Sequence, residues 1–142
     1  PVSIKFLGFK NTMAIGILAM FLRYVMSALS PEVGGLYFGA IAVHGAIFGF
    51  FFVAAQMYID KKAPADIKAQ AQGLYFFFYG VAQVIGTFFS KWLIDSYTAL
   101  PAQAGAEAVT NWATVFWIES AISGALLIFF YLFFKNDVKE QQ

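Results

Sequence analysis

Of the 142 residues, 61% are hydrophobic and only 12% are charged, with 18 Phe among the aromatics. A domain this small cannot hide so much apolar surface from water, and disorder needs the opposite composition, so a soluble enzyme and a disordered chain are both excluded. A net charge of +1 offers nucleic acid no basic surface, and the lack of cysteine excludes a disulfide scaffold; an integral membrane protein remains.

The chain opens on Pro1 to Asn11, which reads as a cytoplasmic loop. It lacks the apolar core and cleavage site of a signal peptide, and the start at Pro1 reads as part of a longer protein. A helix needs roughly 20 apolar residues to cross the hydrocarbon core. The first such run covers about 12–29, with Arg23 its only charge. Ser30-Pro31-Glu32-Val33-Gly34 is a turn by its Pro and Gly. The second run, about 35–59, has no formal charge, and Asp60 to Lys68 follows as a loop. The third run covers about 69–94 and holds Lys91 near its end. A small polar connection, Tyr97 to Asn111, leads to the fourth run, about 112–134, which contains Glu119. Residues 135–142 form a charged tail. The runs are continuous rather than alternating, so an all-α integral membrane fold of four transmembrane helices is expected, not a barrel.

The lysines sort by side. Lys5, Lys10, Lys61, Lys62, Lys68, Lys135 and Lys139 fall on one side, and the two opposite connections hold no Lys or Arg. Both termini are therefore expected in the cytoplasm. Trp92 and Trp112 fall near the outer ends of their helices, where interfacial aromatics belong.

An ordered set of short segments carries a family resemblance. Gly8-Phe9-Lys10-Asn11-Thr12-Met13 and Leu18-Ala19-Met20-Phe21-Leu22-Arg23 come first. Ala71-Gln72-Gly73-Leu74, Trp92-Leu93-Ile94-Asp95, Asn111-Trp112 and Phe134-Lys135 follow. Together they resemble the last third of the nucleoside:proton symporter family of the major facilitator superfamily. The resemblance implies a twelve-helix parent in a bacterial inner membrane, of which these are the ninth to twelfth helices. It implies proton-coupled alternating access between two six-helix halves, and a cavity lined by the second and third spans. The partners it implies are the lipid bilayer, a small polar solute, protons and eight further helices. The family's acid and amide in the tenth helix fall at Gly49 and Phe52 here, and its Thr-Asn-Gly falls near Tyr79-Gly80-Val81.

The third span carries the candidate substrate-binding stripe. Gln72, Phe76, Tyr79, Gln83, Gly86 and Ser90 recur at steps of three and four, which places them on one face. Polar groups on an otherwise apolar helix face protein or water. Gln and Tyr suit a neutral ringed solute, and interhelical hydrogen bonding is the alternative. On the second span Gly45, Gly49, Phe52 and Gln56 share a face, readable as close helix packing or as a cavity wall with Gln56 binding.

Ionisable groups in a membrane cost about 2.5–3.5 kcal/mol each on insertion scales, so each needs a role. Arg23 and Glu119 lie seven residues from their outer helix ends, about 10 Å deep at 1.5 Å per residue. They read as a structural ion pair, with a proton carrier or anion clamp as the alternative. Lys91 and Asp95 are four residues apart and read as an interfacial pair. His44, mid-span, is a candidate proton site or a hydrogen-bonded neutral side chain. It is the only histidine, so a metal site is not expected, and no cofactor is expected either. Asp60 to Lys68 mixes charges and reads as a solvated loop or an inner gate.

A transporter part is the leading functional expectation. A small four-helix structural or assembly subunit is the alternative. A major facilitator transporter of sugars or drugs is another, kept open by Gly49 and Phe52.

Overall fold

The computed structural model describes residues 2–99, 108–136 and 138. Helix α1 runs Val2–Leu29, and α2 runs Gly35–Ile47. One wide π turn, Phe48–Phe52, joins α2 to α3, Val53–Lys62, so the three make one continuous second span. Helix α4 is Lys68–Ser96, and α5 is Trp112–Phe133. Among the described residues, four helices are thus long and apolar enough to cross a membrane. Helical backbone satisfies its own polar groups, which these apolar runs require in lipid.

The connections follow from local chemistry. After α1, the backbone N–H groups of Glu32 and Val33 donate to the Leu29 carbonyl at 3.1 Å each, and the Ser30 hydroxyl donates to the Ser27 carbonyl at 2.8 Å. Between α4 and α5 a two-residue antiparallel ladder forms, β1 (Thr98–Ala99) with β2 (Val109–Thr110). Its hydroxyls, Thr98 and Thr110, hydrogen-bond at 2.8 Å. The Asn111 Oδ1 then accepts the Thr114 N–H at 3.1 Å and caps α5. The rest of the expected polar connection, residues 100–107, and most of the expected tail lie outside the described residues.

The leading segment corrects the sequence reading. Residues 2–11 are helical, not a loop, and the helix turns sharply at Gly8, where φ is 74° and only glycine is comfortable. Burial explains the helix. Ile4 and Phe9 join Met13, Ala54 and Tyr58 in the buried apolar cluster at the lysine-bearing end. There the Phe9 and Tyr58 rings meet edge to face at 5.5 Å, and the Lys10 ammonium lies 4.7 Å from the Tyr131 ring centre. The second and third spans extend past the expected runs by a few polar residues, since charged side chains near helix ends reach out to water, while α5 ends at Phe133, one residue short of its expected run.

Helix α1 is the hub, packed against α5 on one side and the second span on the other. One close approach is at Gly16. A Cβ there would sit 2.6 Å from both the Cβ and the backbone N of Phe51, inside the π turn. Helix α4 is different: Leu93 is its only buried residue. Gly45 and Gly49 on the second span have open space where a Cβ would go, so the expected close packing at that pair does not occur among the described residues.

Candidate functional site

The second span and α4 face each other across a gap, and the π turn decides what fills it. A π turn closes through an i→i+5 hydrogen bond, here from the Val53 N–H to the Phe48 carbonyl. The turn carries Phe51 and Phe52. Both line a cavity of about 330 Å³ together with Tyr75, Tyr79, Ala82 and Gln83 of α4. The Phe52 and Tyr79 rings meet edge to face with centroids 5.2 Å apart. The Gln83 Nε2 donates to the Tyr79 hydroxyl oxygen at 2.8 Å. Tyr79 and Gln83 of the expected stripe therefore act together. Among the described residues the second N–H of Gln83 and its side-chain carbonyl have no further partner.

The other stripe residues divide. The Gln72 Nε2 donates to the main-chain carbonyl of Gln56 at 2.8 Å, which ties α4 to α3 below the cavity. Gln72 and Gln56 are thus brought together, but through backbone. The Gln56 side chain lies beside the Tyr75 hydroxyl, and among the described residues that buried hydroxyl has no partner within full hydrogen-bond geometry. Phe76 is exposed, packs on the Tyr75 ring at 5.3 Å and stays outside the cavity. His44 is exposed on α2 and is not gathered with the other candidates.

Sequence reasoning passed over Tyr75. The signal was present, since Tyr75, Tyr79 and Gln83 follow one another at steps of four on one face. Phe52 is expected both at a lost polar position and on a face readable as a cavity wall. The aromatic ring there supplies the wall that an amide would have replaced.

The charged candidates sit apart from this cavity. Lys91 and Asp95 pair at 2.8 Å on the exposed surface of α4, and Lys68 pairs with Asp60 at 3.3 Å. Arg23 and Glu119 lie on the packed helices α1 and α5, near enough for their charges to interact. The expected direct ion pair does not close among the described residues. The Arg23 guanidinium lies instead 5.5 Å from the Tyr24 ring centre, on its own helix. Glu119 lines a second cavity, about 160 Å³, with Tyr24, Gly86, Ser90 and Ser123. A third and larger cavity, about 550 Å³ between α1, the π turn and α5, is walled almost wholly by apolar side chains and has nothing to hold a polar solute.

Comparisons with known proteins fit this arrangement. The family profile described as nucleoside H+ symporter matches residues 1–139. The nucleoside permease NupG of Escherichia coli is 28% identical over 139 residues, which are 95% of this chain and 32% of that protein. The xanthosine permease of the same organism is 25% identical over 141 residues, 96% of this chain and 32% of that protein. A crystal structure of the nucleoside transporter NupG superposes with a TM-score of 0.83 at 29% identity, covering 95% of this chain and 33% of that one. The chain spans about a third of the length of the relatives it matches. Its four long apolar helices and these relatives make it part of a multi-pass membrane protein.

Proposed function

The chain belongs to the nucleoside H+ symporter family, and on that premise we propose that it is the C-terminal part of a secondary transporter that moves a nucleoside together with protons. Transport is the whole role; no bond of the solute is made or broken. Eight further helices pack on the open faces of α4 and the second span, and the two halves rock about a central site. Both ends of this chain face the cytoplasm of a bacterial inner membrane, as the lysine distribution directs.

The cavity between the π turn and α4 carries the proposal. Phe52 and Tyr79 supply ring edges and faces for a planar base, and Gln83 supplies donors and an acceptor for its polar edge. An apolar wall with a few placed polar groups is how a small-molecule site is usually built. Substrate contacts from the other helices complete it.

The test is uptake of labelled uridine by cells expressing the complete parent protein, with and without an imposed pH gradient. Gradient-dependent uptake that weakens in Tyr79→Phe and Gln83→Ala supports the proposal. Unchanged uptake and affinity in both variants, at normal expression, would make the cavity a packing gap. Gly49 and Phe52 favour one second reading, a solute of another class, because both remove polarity from the second span. A solute screen in the same cells separates the two.

A further inference from the structure

Glu119 is the only Asp, Glu, Lys, Arg or His on α5, and it is half-buried about 10 Å from the start of that helix at 1.5 Å per residue. Its carboxylate has no hydrogen bond or ion pair among the described residues; Ser123 donates only to its backbone carbonyl, at 2.9 Å. The carboxylate lines a cavity of about 160 Å³ at the junction of three helices. Every helix around that cavity contributes polar or charged groups. From α1 come Tyr24, which lines it, and Arg23, whose charge reaches Glu119. From α4 comes Ser90, while the neighbouring Lys91 is held by Asp95 at 2.8 Å. From α5 itself comes Ser123.

A carboxylate inside a membrane is stable in two ways, with a proton on it or with a cation against it. Both are within reach here. Arg23 is the cation, yet it rests over the Tyr24 ring rather than on the carboxylate. The described arrangement is therefore not the cation-paired one, and it leaves the carboxylate open to a proton. Moving Arg23 across the α1–α5 interface gives the other.

The location matters as much as the group. Tyr79 and Gln83 line the solute cavity, and Gly86 and Ser90 line the Glu119 cavity. All four belong to one face of α4, and Gln83 and Ser90 are two turns apart, about 10 Å. A single helix thus forms a wall of both cavities. It is also the least anchored of the four, with Leu93 its only buried residue. A shift of α4 against a bound solute moves Ser90 and Gly86 against Glu119.

We infer that Glu119 is a proton-coupling residue, which takes a proton from outside water, carries it as a neutral acid while the solute is bound, and releases it to the cytoplasmic side when Arg23 replaces it. The inference rests on the transport reading above, and it places a proton site on α5, where Gly49 has no acid to offer.

The test uses the complete protein in proteoliposomes with labelled uridine. A gradient of about one pH unit supports about tenfold accumulation per coupled proton. Glu119→Gln is expected to lose that whole factor, leaving uptake that equilibrates and no longer responds to the gradient. Glu119→Asp is expected to restore a response. Gradient-driven accumulation persisting in Glu119→Gln would overturn the inference. So would loss of all uptake in Glu119→Gln with no recovery in Glu119→Asp, which would assign the carboxylate to structure. If the unsubstituted protein moves no uridine, the transport reading fails first, and the inference falls with it.

Discussion

The rings of Phe52 and Tyr79 stand nearly perpendicular, 83° between planes and 5.2 Å between centroids, across the gap between the second span and α4. The same Tyr79 accepts a hydrogen bond from Gln83. One residue therefore joins the aromatic wall to the polar edge of the cavity, and its two functions separate by substitution. Tyr79→Phe keeps the ring and loses the hydroxyl. With a net hydrogen bond worth about 1 kcal/mol, uridine affinity in the complete transporter should fall about fivefold. Phe52→Ala removes the wall itself and should raise the KM for uridine more than Tyr79→Phe does. Equal, small effects of both would mean that the solute binds elsewhere.

Gly16 should be intolerant. A Cβ there meets the backbone of Phe51 at 2.6 Å, and backbone cannot swing aside. Gly16→Ala should destabilise the complete protein by about 1–3 kcal/mol, the usual cost of overpacking. Gly35→Ala lies in open space and should stay within about 0.5 kcal/mol apart from its helix propensity. Thermal unfolding in detergent, read for both variants side by side, checks the contrast.

Arg23 and Glu119 should couple weakly. Their charges interact, but no direct pair closes. The cycle of Arg23→Met, Glu119→Met and the double change should return an interaction of about 0.5 kcal/mol, near the lower limit for coupled neighbours. A coupling of several kcal/mol would show that the resting state is a closed ion pair after all.

Orientation is directly readable because the chain has no cysteine. Ala65 and Ala108 are exposed and lie beyond opposite ends of α4. In an otherwise cysteine-free parent, Ala108→Cys should react with an impermeant maleimide added to intact cells. Ala65→Cys should react only after the membrane is opened. The reverse pattern would invert the topology.

The spans were legible because lipid imposes one simple demand, length of apolar helix, and composition reports it directly. The Tyr79–Gln83 pair was legible for a similar reason, since polar residues repeating at helical spacing inside an apolar run have few alternatives. The leading helix was hidden by Lys5, Lys10 and Asn11, which look like a loop until Ile4 and Phe9 are seen buried against Tyr58. The importance of Gly16 was hidden too. Nothing in Ile15-Gly16-Ile17 says that the partner helix bulges toward it. The Arg23–Glu119 reading placed the two on helices that do pack together, but no direct pair closes among the described residues, because matching positions along two helices do not fix the rotation of either.

Rotation is where the π turn has its widest effect. Each α-helical residue advances about 100° around the axis, so one residue added to a turn dephases everything that follows by that angle. Phe48–Phe52 is such an addition in effect. The face shared by Gly45, Gly49, Phe52 and Gln56 on a regular helix is therefore not one face here: the stretch before the turn and the stretch after it keep separate clocks. A deletion of one residue between Phe48 and Phe52 would set the two back in phase. It would leave Gln56 and Tyr58 beside their present neighbours and displace the wall residues of the turn itself, Phe51 and Phe52, while leaving composition, hydropathy and span length almost untouched. A comparison of sequences that scores only those properties would pass such a variant as intact.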